Sequence, residues 1–519
     1  MARFGFCGPS YTQQSVNANA QKCMNLYVET DESGDGKSAR QLFNTPGLKL
    51  FATKLGAGQV RGELTINNRM FAVIDTMLYE VNADGTITLI NQVGNDGGLV
   101  SMVASPQQLL LASAGLLYVY FLQAVTINGV LNPAGTFTPI PQATFGNPVQ
   151  LVGYSDGFFI ALVAGSEKYF ASSLFDATTW PPLSSTTITT FPDNVISMIV
   201  DHRQIWLLGA KASEVDSDAG TFPFPFAPQP GAFIEQGCGA PQATVQADNS
   251  VFWIGSRNDQ GGGIAWRAQG YSPLRVSNFA VETAWASYPT IADARAFTYV
   301  DEGHTFWVIN FPSGQATWVY DVSTGLWHER GYWNKLNGIF QAGLPQCHTY
   351  CFGKHLVGDR SSGNIYQMAL PSPAVGGGWN FVTDNGTPIH RVRRAPHVST
   401  ENEWIRHAFL YVDIESGVGP EPPLRDGFGK VRAPQLTLRY SDDGGHTWSA
   451  GRDKGFGQAG KYRTRAIWRR LGRSRDRVYE ISCADPVPVR IVDAYLKAGG
   501  SASEFRTQER LSRQAAKVA

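Results

Sequence analysis

Thr305-Phe306-Trp307-Val308-Ile309-Asn310 is followed, across a short polar gap, by Ala316-Thr317-Trp318-Val319-Tyr320-Asp321. The turn Ser323-Thr324-Gly325 then leads into Leu326-Trp327-His328-Glu329. Each apolar run has the length of a strand, is rich in β-branched and aromatic residues, and is bounded by turn formers. Consecutive antiparallel strands read this way. The unit recurs along the chain: 69–74 with 78–81, 108–112 with 116–121, 157–163 with 168–172, 204–209 with 214–215, 251–255 with 263–267, and 354–359 with 363–367. The spacing is roughly 45 residues, typical of propeller blades. One four-stranded blade cannot bury both of its faces, and radial stacking does so, which explains why aromatics return at similar places. The units predict an all-β chain built as a β-propeller of six or seven blades, with stacked sandwiches as the alternative.

Composition agrees. The 519 residues are 43% hydrophobic and 12% aromatic but only 17% charged, with 55 Gly and 29 Pro. That is ample for a core and excludes wholesale disorder. Formal net charge is zero but unevenly placed: residues 391–519 carry 24 Lys+Arg against 15 Asp+Glu, and residues 1–390 carry 19 against 28. Such asymmetry suits a protein with one face toward a basic or neutral partner and another toward a polyanion or acidic protein; the alternative is a mixed solvated surface. The six cysteines, Cys7, Cys23, Cys238, Cys347, Cys351 and Cys483, form no disulfide-scaffold pattern,. The start MARFGFCGPS has no apolar signal-like run, and residues 109–120 read as a hairpin rather than a membrane span,. The expectation is a soluble chain with no membrane anchor, made in a reducing cytoplasm.

Domain boundaries follow from these shifts. Residues 1–47, rich in Asn, Gln, Ser and Gly, read as an N-terminal extended arm, lying along its own domain or reaching to a neighbouring subunit. Residues 48–380 hold the propeller blades. Residues 381–499, beyond a Pro/Gly-rich connector, carry longer strands and read as a closing blade plus an additional C-terminal β-sandwich-like domain. Residues 500–519 read as a flexible tail or short helix.

Several patterns invite a chemical reading. Arg439-Tyr440-Ser441-Asp442-Asp443-Gly444-Gly445-His446-Thr447-Trp448 predicts a strand, a tight Asp/Gly reversal, and a returning strand begun by Thr447 and Trp448, with the indole folded over the hairpin. Cys347-His348-x-x-Cys351-x-x-x-His355 has soft ligands at metal-like spacing, yet one extended strand places Cys347, Cys351 and His355 on one face and too far apart, with His348 on the other. Gly153-Tyr154-Ser155-Asp156-Gly157 matches a nucleophile elbow but is followed by a strand, not a helix, and reads as a hairpin turn. Gly261-Gly262-Gly263, Gly376-Gly377-Gly378 and Gly36-Lys37-Ser38 lack the setting of a phosphate loop. No catalytic set, metal site or cofactor site emerges, and the chain is expected not to be an enzyme.

The basic run 461–477 remains. It is predicted as a strand over 462–470 with Lys461, Arg463, Arg465 and Arg469 on one face, then a basic turn and a strand over 478–482. A solvated sheet edge accounts for such charge. The functional alternatives are contact with a neighbouring subunit or with DNA phosphates, and the candidates are Arg465, Arg469, Arg470, Arg473, Arg475 and Arg477.

Two resemblances sharpen these readings. Ser441, Asp443, Gly445, Thr447 and Trp448 resemble the Asp-box turn S-x-D-x-G-x-T-W of sialidases and other propeller proteins. This implies a structural turn, with a carbohydrate-binding or sialidase-like propeller as the alternative function; the Arg triad and Tyr/Glu pair of sialidases cannot be assigned to positions here. More specifically, the run from Trp468-Arg469-Arg470-Leu471-Gly472-Arg473 through Ser482-Cys483-Ala484-Asp485-Pro486 resembles the C-terminal part of the packaged-DNA stabilisation, or tail-hub (nozzle), proteins of short-tailed bacteriophages. Gly8-Pro9-Ser10-Tyr11, Asn25-Leu26-Tyr27 and Thr45-Pro46-Gly47-Leu48 are similar to how those proteins begin. The resemblance implies a structural protein of the virion tail, assembled as a ring, expected as a hexamer, with double-stranded DNA passing through the channel. Its implied partners are the tail adaptor (head-to-tail connector) and a tail needle, tailspike or tail fibre. The basic run then reads as a subunit or adaptor contact, since DNA in transit must slide.

Overall fold

The computed structural model describes residues 2–188, 193–256 and 262–499, so the tail expected at 500–519, and Gly261 of the first glycine cluster, lie outside the described residues. The chain divides into two compact units, one of residues 49–323 and 341–368, the other of residues 1–48, 324–340 and 369–519.

The first unit is a propeller. Five four-stranded antiparallel sheets follow in chain order, Val60–Ile66 to Ile87–Gln92, Ser101–Ala104 to Phe137–Ile140, Val149–Ser155 to Ser185–Thr187, Val195–Asp201 to Phe226–Pro228, and Val245–Ala247 to Ser272–Arg275. The sixth blade places Arg295–Asp301, His304–Phe311 and Ala316–Asp321 in this unit. The seventh is Pro345–Cys351, Lys354–Asp359 and Asn364–Ala369, with Gly47–Thr53 as its outer strand. The ring is therefore seven-bladed and closed by a strand from before the first blade.

Backbone and amide hydrogen bonds tie neighbouring blades near their inner strands. Val100 N donates to the Arg61 carbonyl at 2.8 Å, Ala296 N to the Gln242 carbonyl at 3.0 Å, and Gln346 Nε2 to the Val60 carbonyl at 2.6 Å, this last joining the seventh blade to the first. The middle strands are buried along almost their whole length, as 108–113 and 158–163 illustrate. Facing blades share apolar layers, such as Phe71, Leu109, Leu111 and Tyr120 between the first and second,. The one α-helix among the described residues, Phe279–Ala286, was not visible in the periodicity; Asn278 caps it by accepting from Val281 N at 3.1 Å, and Trp285 is buried,.

The second unit is a sandwich. One sheet runs Leu26–Thr30, Arg40–Asn44, Ile491–Ala498, Ile405–Ile414, Ala466–Arg469; the other contains Leu326–Arg330, Ala20–Met24, Arg391–Arg394, Asp476–Cys483, Gln435–Ser441, Arg452–Gly455. Their inner faces meet on one core containing Leu26, Leu42, Leu410, Leu438, Trp468, Tyr479 and Ile481,. The first 47 residues are thus no extended arm, because their strands supply members of both sheets. The propeller is not closed by residues beyond 380, and Leu326–Arg330 pairs in parallel with Ala20–Met24, Met24 facing Glu329.

Buried polar contacts explain the N-terminal segments. Arg393, fully buried, donates to the carbonyls of Phe6 and Pro9 and to Gln21 Oε1 at 2.5, 2.9 and 2.7 Å. A side chain at Gly8 would bring its Cβ to 3.1 Å from that guanidinium. Ser10 Oγ accepts from Cys23 N at 2.7 Å. Asn25, at φ 56°, clamps Gly331 and the His390 carbonyl through its amide. At Gly47 any Cβ would stand 2.2 Å from the Phe381 carbonyl oxygen, so only glycine fits there,.

Candidate functional site

The Asp-box turn lies in the sandwich, after Gln435–Ser441. Asp443 accepts from Ser441 Oγ at 2.6 Å, Thr447 Oγ1 at 2.6 Å and Thr447 N at 2.9 Å, which together hold its carboxyl well below the usual carboxylate range. Ser441 Oγ in turn accepts from Gly445 N at 2.8 Å, where φ is 107°. Trp448 Nε1 donates to the Gly445 carbonyl at 3.1 Å, folding the indole back, and the guanidiniums of Arg394 and Arg439 stand 4.6 and 5.4 Å from the ring centroid. Both arginines bind buried Glu480. The returning strand begins at Arg452, not at Thr447: the Ser441 hydroxyl and the Asp443 carboxylate spend the backbone donors of Gly445 and Thr447 inside the turn. All of these contacts are internal to the sandwich.

The basic run departs from its expected form. Of the strand expected over 462–470 only Ala466–Arg469 forms, with Ala466 and Trp468 buried against the core and Arg469 outward. Residues 461–465 turn instead, since Lys461 and Gly460 close hydrogen bonds to Gln458 and Gly417. Arg465, Arg469, Arg470, Arg473 and Arg475 are exposed. Arg477 is not: it is 1% exposed, holds Asp442 at 2.5 and 2.7 Å, donates to the Leu471 carbonyl, and lies 4.0 Å from the Tyr440 ring centroid. It fastens the Asp-box turn to the strand Asp476–Cys483 and is unavailable to a partner.

Around Arg473 the exposed arginines converge. Arg473–Ser474 pairs with Ile405 and Arg406 of the long strand, so Ser474 points inward and its two arginine neighbours outward. Ser474 Oγ bonds His407 Nε2 at 2.9 Å, whose Nδ1 bonds the Tyr479 hydroxyl at 2.8 Å, so the mount is rigid. Burial, with Arg477 nearby, pushes His407 down to about 4, leaving it neutral. Arg473 and Arg475 place their guanidiniums 4.9 and 5.3 Å from the ring centroid of Trp404, which is 52% exposed. Trp404, Arg406, Arg470, Arg473 and Glu403 line a cleft of about 890 Å³. The signal sequence reading missed is Trp404, an isolated aromatic in a polar stretch with no periodicity to mark it.

The remaining motifs resolve as structure. Cys347 and Cys351 lie on one strand and His355 on the next; the hairpin at Phe352 and Gly353 puts His355 opposite Tyr350. His355 therefore shares a face with His348, 3.0 Å away, rather than with the cysteines. No group of three or more His, Cys, Asp or Glu side chains able to hold a metal occurs among the described residues. Ser155 ends a strand, and Asp156 and Gly157, at φ 51° and 91°, make the hairpin turn. Among the described residues no helix is long and apolar enough to cross a membrane.

Fold and surface together define a β-propeller protein with a β-sandwich attached and an exposed arginine–tryptophan surface on the sandwich. Residues 8–371 match the family described as "Bacteriophage P22 Gp10, beta-propeller", and residues 390–499 the family described as "Bacteriophage P22 Gp10, beta-sandwich". The chain belongs to this family, and is a bacteriophage tail-hub protein, a structural component of the virion tail that associates with other tail components. No curated protein matches it in sequence. Among solved structures it is similar to the N-terminal domain of Nup159 (11% identity, TM-score 0.41, covering 67% of this chain and 98% of that one). It is also similar to the extracellular domain of the putative hybrid two-component system BT4673 from B. thetaiotaomicron (9% identity, TM-score 0.40, 78% of this chain and 47% of that one). Likeness at this level says nothing of function.

Proposed function

We propose that the chain forms a ring, a hexamer by family resemblance, that extends the DNA channel below the portal and adaptor. In that position it keeps packaged DNA from leaking and anchors the tail needle, spikes or fibres. The observation that carries this is the family match over both units in the right order. The surface chemistry supports it. Carboxylates and carbonyls of the sandwich take up Arg391, Arg393, Arg394, Arg439 and Arg477, Arg439 from an exposed position on buried Glu480, whereas Arg465, Arg469, Arg470, Arg473 and Arg475 stand exposed at the surface. A structural role without catalysis is part of this reading, and the Asp box supports it because its side chains are spent on the turn. The tail of a virion assembled in the host cytoplasm is the location this reading gives.

The test is genome retention. Particles packaged without this chain should lose their DNA on storage or on a shift to low salt, and adding the purified protein to freshly packaged heads should prevent the loss. Particles that keep their genomes without it would overturn the reading.

A further inference from the structure

We infer that the cleft around Trp404 receives the propeller of a second copy of this chain, making the head-to-tail contact that closes the ring. The inference rests on the ring reading above and names the two surfaces that meet. A closed ring of more than two copies needs a heterologous contact, in which one patch of each subunit meets a different patch of the next. This chain carries two surfaces of opposite sign. The propeller unit, 49–323 with 341–368, has 22 Asp+Glu against 13 Lys+Arg, while the remainder has 21 against 30. The separation matches the division of the fold, so charge alone orients one copy's sandwich toward another's propeller.

The cleft has the features of the centre of such a contact. Trp404 offers a flat apolar face at a position that stays exposed in the single chain. Arg473 and Arg475 frame it, with Arg470 on the same wall. Among the described residues their side chains make no ion pair, although arginines elsewhere in the sandwich do so repeatedly, as with Arg432 on Asp485 at 2.6 Å and Arg490 on Glu415 at 2.8 Å. Tryptophan and arginine dominate the energetic centres of protein contacts, and guanidiniums preorganised over an aromatic ring lose little freedom on taking a carboxylate. The mount is stiff, since Ser474, His407 and Tyr479 are joined by buried hydrogen bonds directly beneath. Predominantly positive charge at a fixed position beside an exposed indole, with Glu403 the carboxylate among the lining residues, favours carboxylates on a folded partner, and the acidic propeller of the next copy supplies them.

The experiment uses the full-length chain. Arg473→Glu with Arg475→Glu, and separately Trp404→Ala, are compared with the parent by analytical ultracentrifugation across salt concentrations. Unfolding curves verify that these exposed changes leave the fold intact. A parent that assembles, with assembly weakened at least about a hundredfold by the double reversal and weakened by salt, is the expected result. The contact itself is read by cross-linking. Arg473→Lys protein, half of it ¹⁵N-labelled, is treated with a carbodiimide. Mixed-isotope peptides joining residue 473 to carboxylates within 49–323 or 341–368 are expected. Normal assembly of the double reversal overturns the inference and leaves the ring reading standing. Cross-links from residue 473 only to other sandwich residues overturn it too, as does loss of duplex DNA binding in the double reversal with assembly unchanged. A parent that stays monomeric at every concentration, both alone and with the tail adaptor, fails the ring reading itself, and the inference with it.

Discussion

At the scale of single residues, the structure separates charges that hold the fold from charges that face outward. Trp448 is half-buried between Arg394 and Arg439, so Trp448→Ala removes an indole hydrogen bond and two cation–π contacts rather than a core ring. It should lower stability by about 1–3 kcal/mol in denaturant titrations. Arg477→Ala should cost about 2–4 kcal/mol by the same measurement, because it leaves the Leu471 carbonyl and Asp442 without their partner,. Neither the parent nor either variant is expected to release sialic acid.

A third residue-level expectation concerns pH. Glu214 and Asp216 are buried on one face of Ser213–Asp218, and the Tyr169 hydroxyl donates to Asp216. Burial, then the neighbouring Asp216, pushes Glu214 up to about 8, and Asp216 is raised as well by burial. The folded chain thus holds a proton that the unfolded chain releases above about 4.3. The stabilisation from that proton is fully present below the unfolded value and is lost as pH rises toward 8. Glu214→Gln should therefore raise the melting temperature at pH 8.5 while leaving it nearly unchanged at pH 4. A parent curve flat between those limits, unaffected by the substitution, would contradict the assignment.

At the scale of elements, what could be read ahead depended on periodicity. The middle strands of all seven blades stood out because both their faces are buried, and they are near-continuous apolar runs such as Leu109-Leu110-Leu111 and Phe159-Ile160-Ala161-Leu162,. Inner strands such as Ser101–Ala104 and outer ones such as Ile87–Gln92 carry mixed burial and no such run. That blurred the boundaries and left the blade number open between six and seven. The N-terminal strands escaped notice for another reason. Ala20–Met24 and Arg40–Asn44 are short and polar, and beside their near neighbours Tyr11–Thr12 and Leu26–Thr30 they pair with residues hundreds of positions away, Arg393 opposite Cys23 and Ile491 opposite Leu42. No local pattern records such pairing. The consequence is testable. Deleting residues 1–25 removes the carbonyl partners of buried Arg393 and a strand between Leu326–Arg330 and Arg391–Arg394. The truncated chain should be insoluble or should lose the unfolding transition of the sandwich, whereas a peripheral arm would be dispensable.

At the scale of the whole molecule, the sequence carried the class of fold and the charge asymmetry, but the surface proposed as the subunit contact was only half legible. The basic run was visible as composition. Which of its arginines face outward was not, because the alternation inferred over 462–470 holds only from 466 to 469. Arg477 reads like its neighbours until the ion pair to Asp442 is seen. Trp404 gains meaning only once the Arg473–Ser474 strand is laid beside Ile405 and Arg406. Two units of opposite net charge on one chain suit the head-to-tail contact proposed above,.

The most direct measurement is the mass of the purified full-length chain by size-exclusion light scattering at micromolar concentration, alone and with the tail adaptor. The account predicts a single closed species several times the mass of one chain, a hexamer, formed alone or on the adaptor and dissociated by high salt. A monomer under both conditions would contradict it.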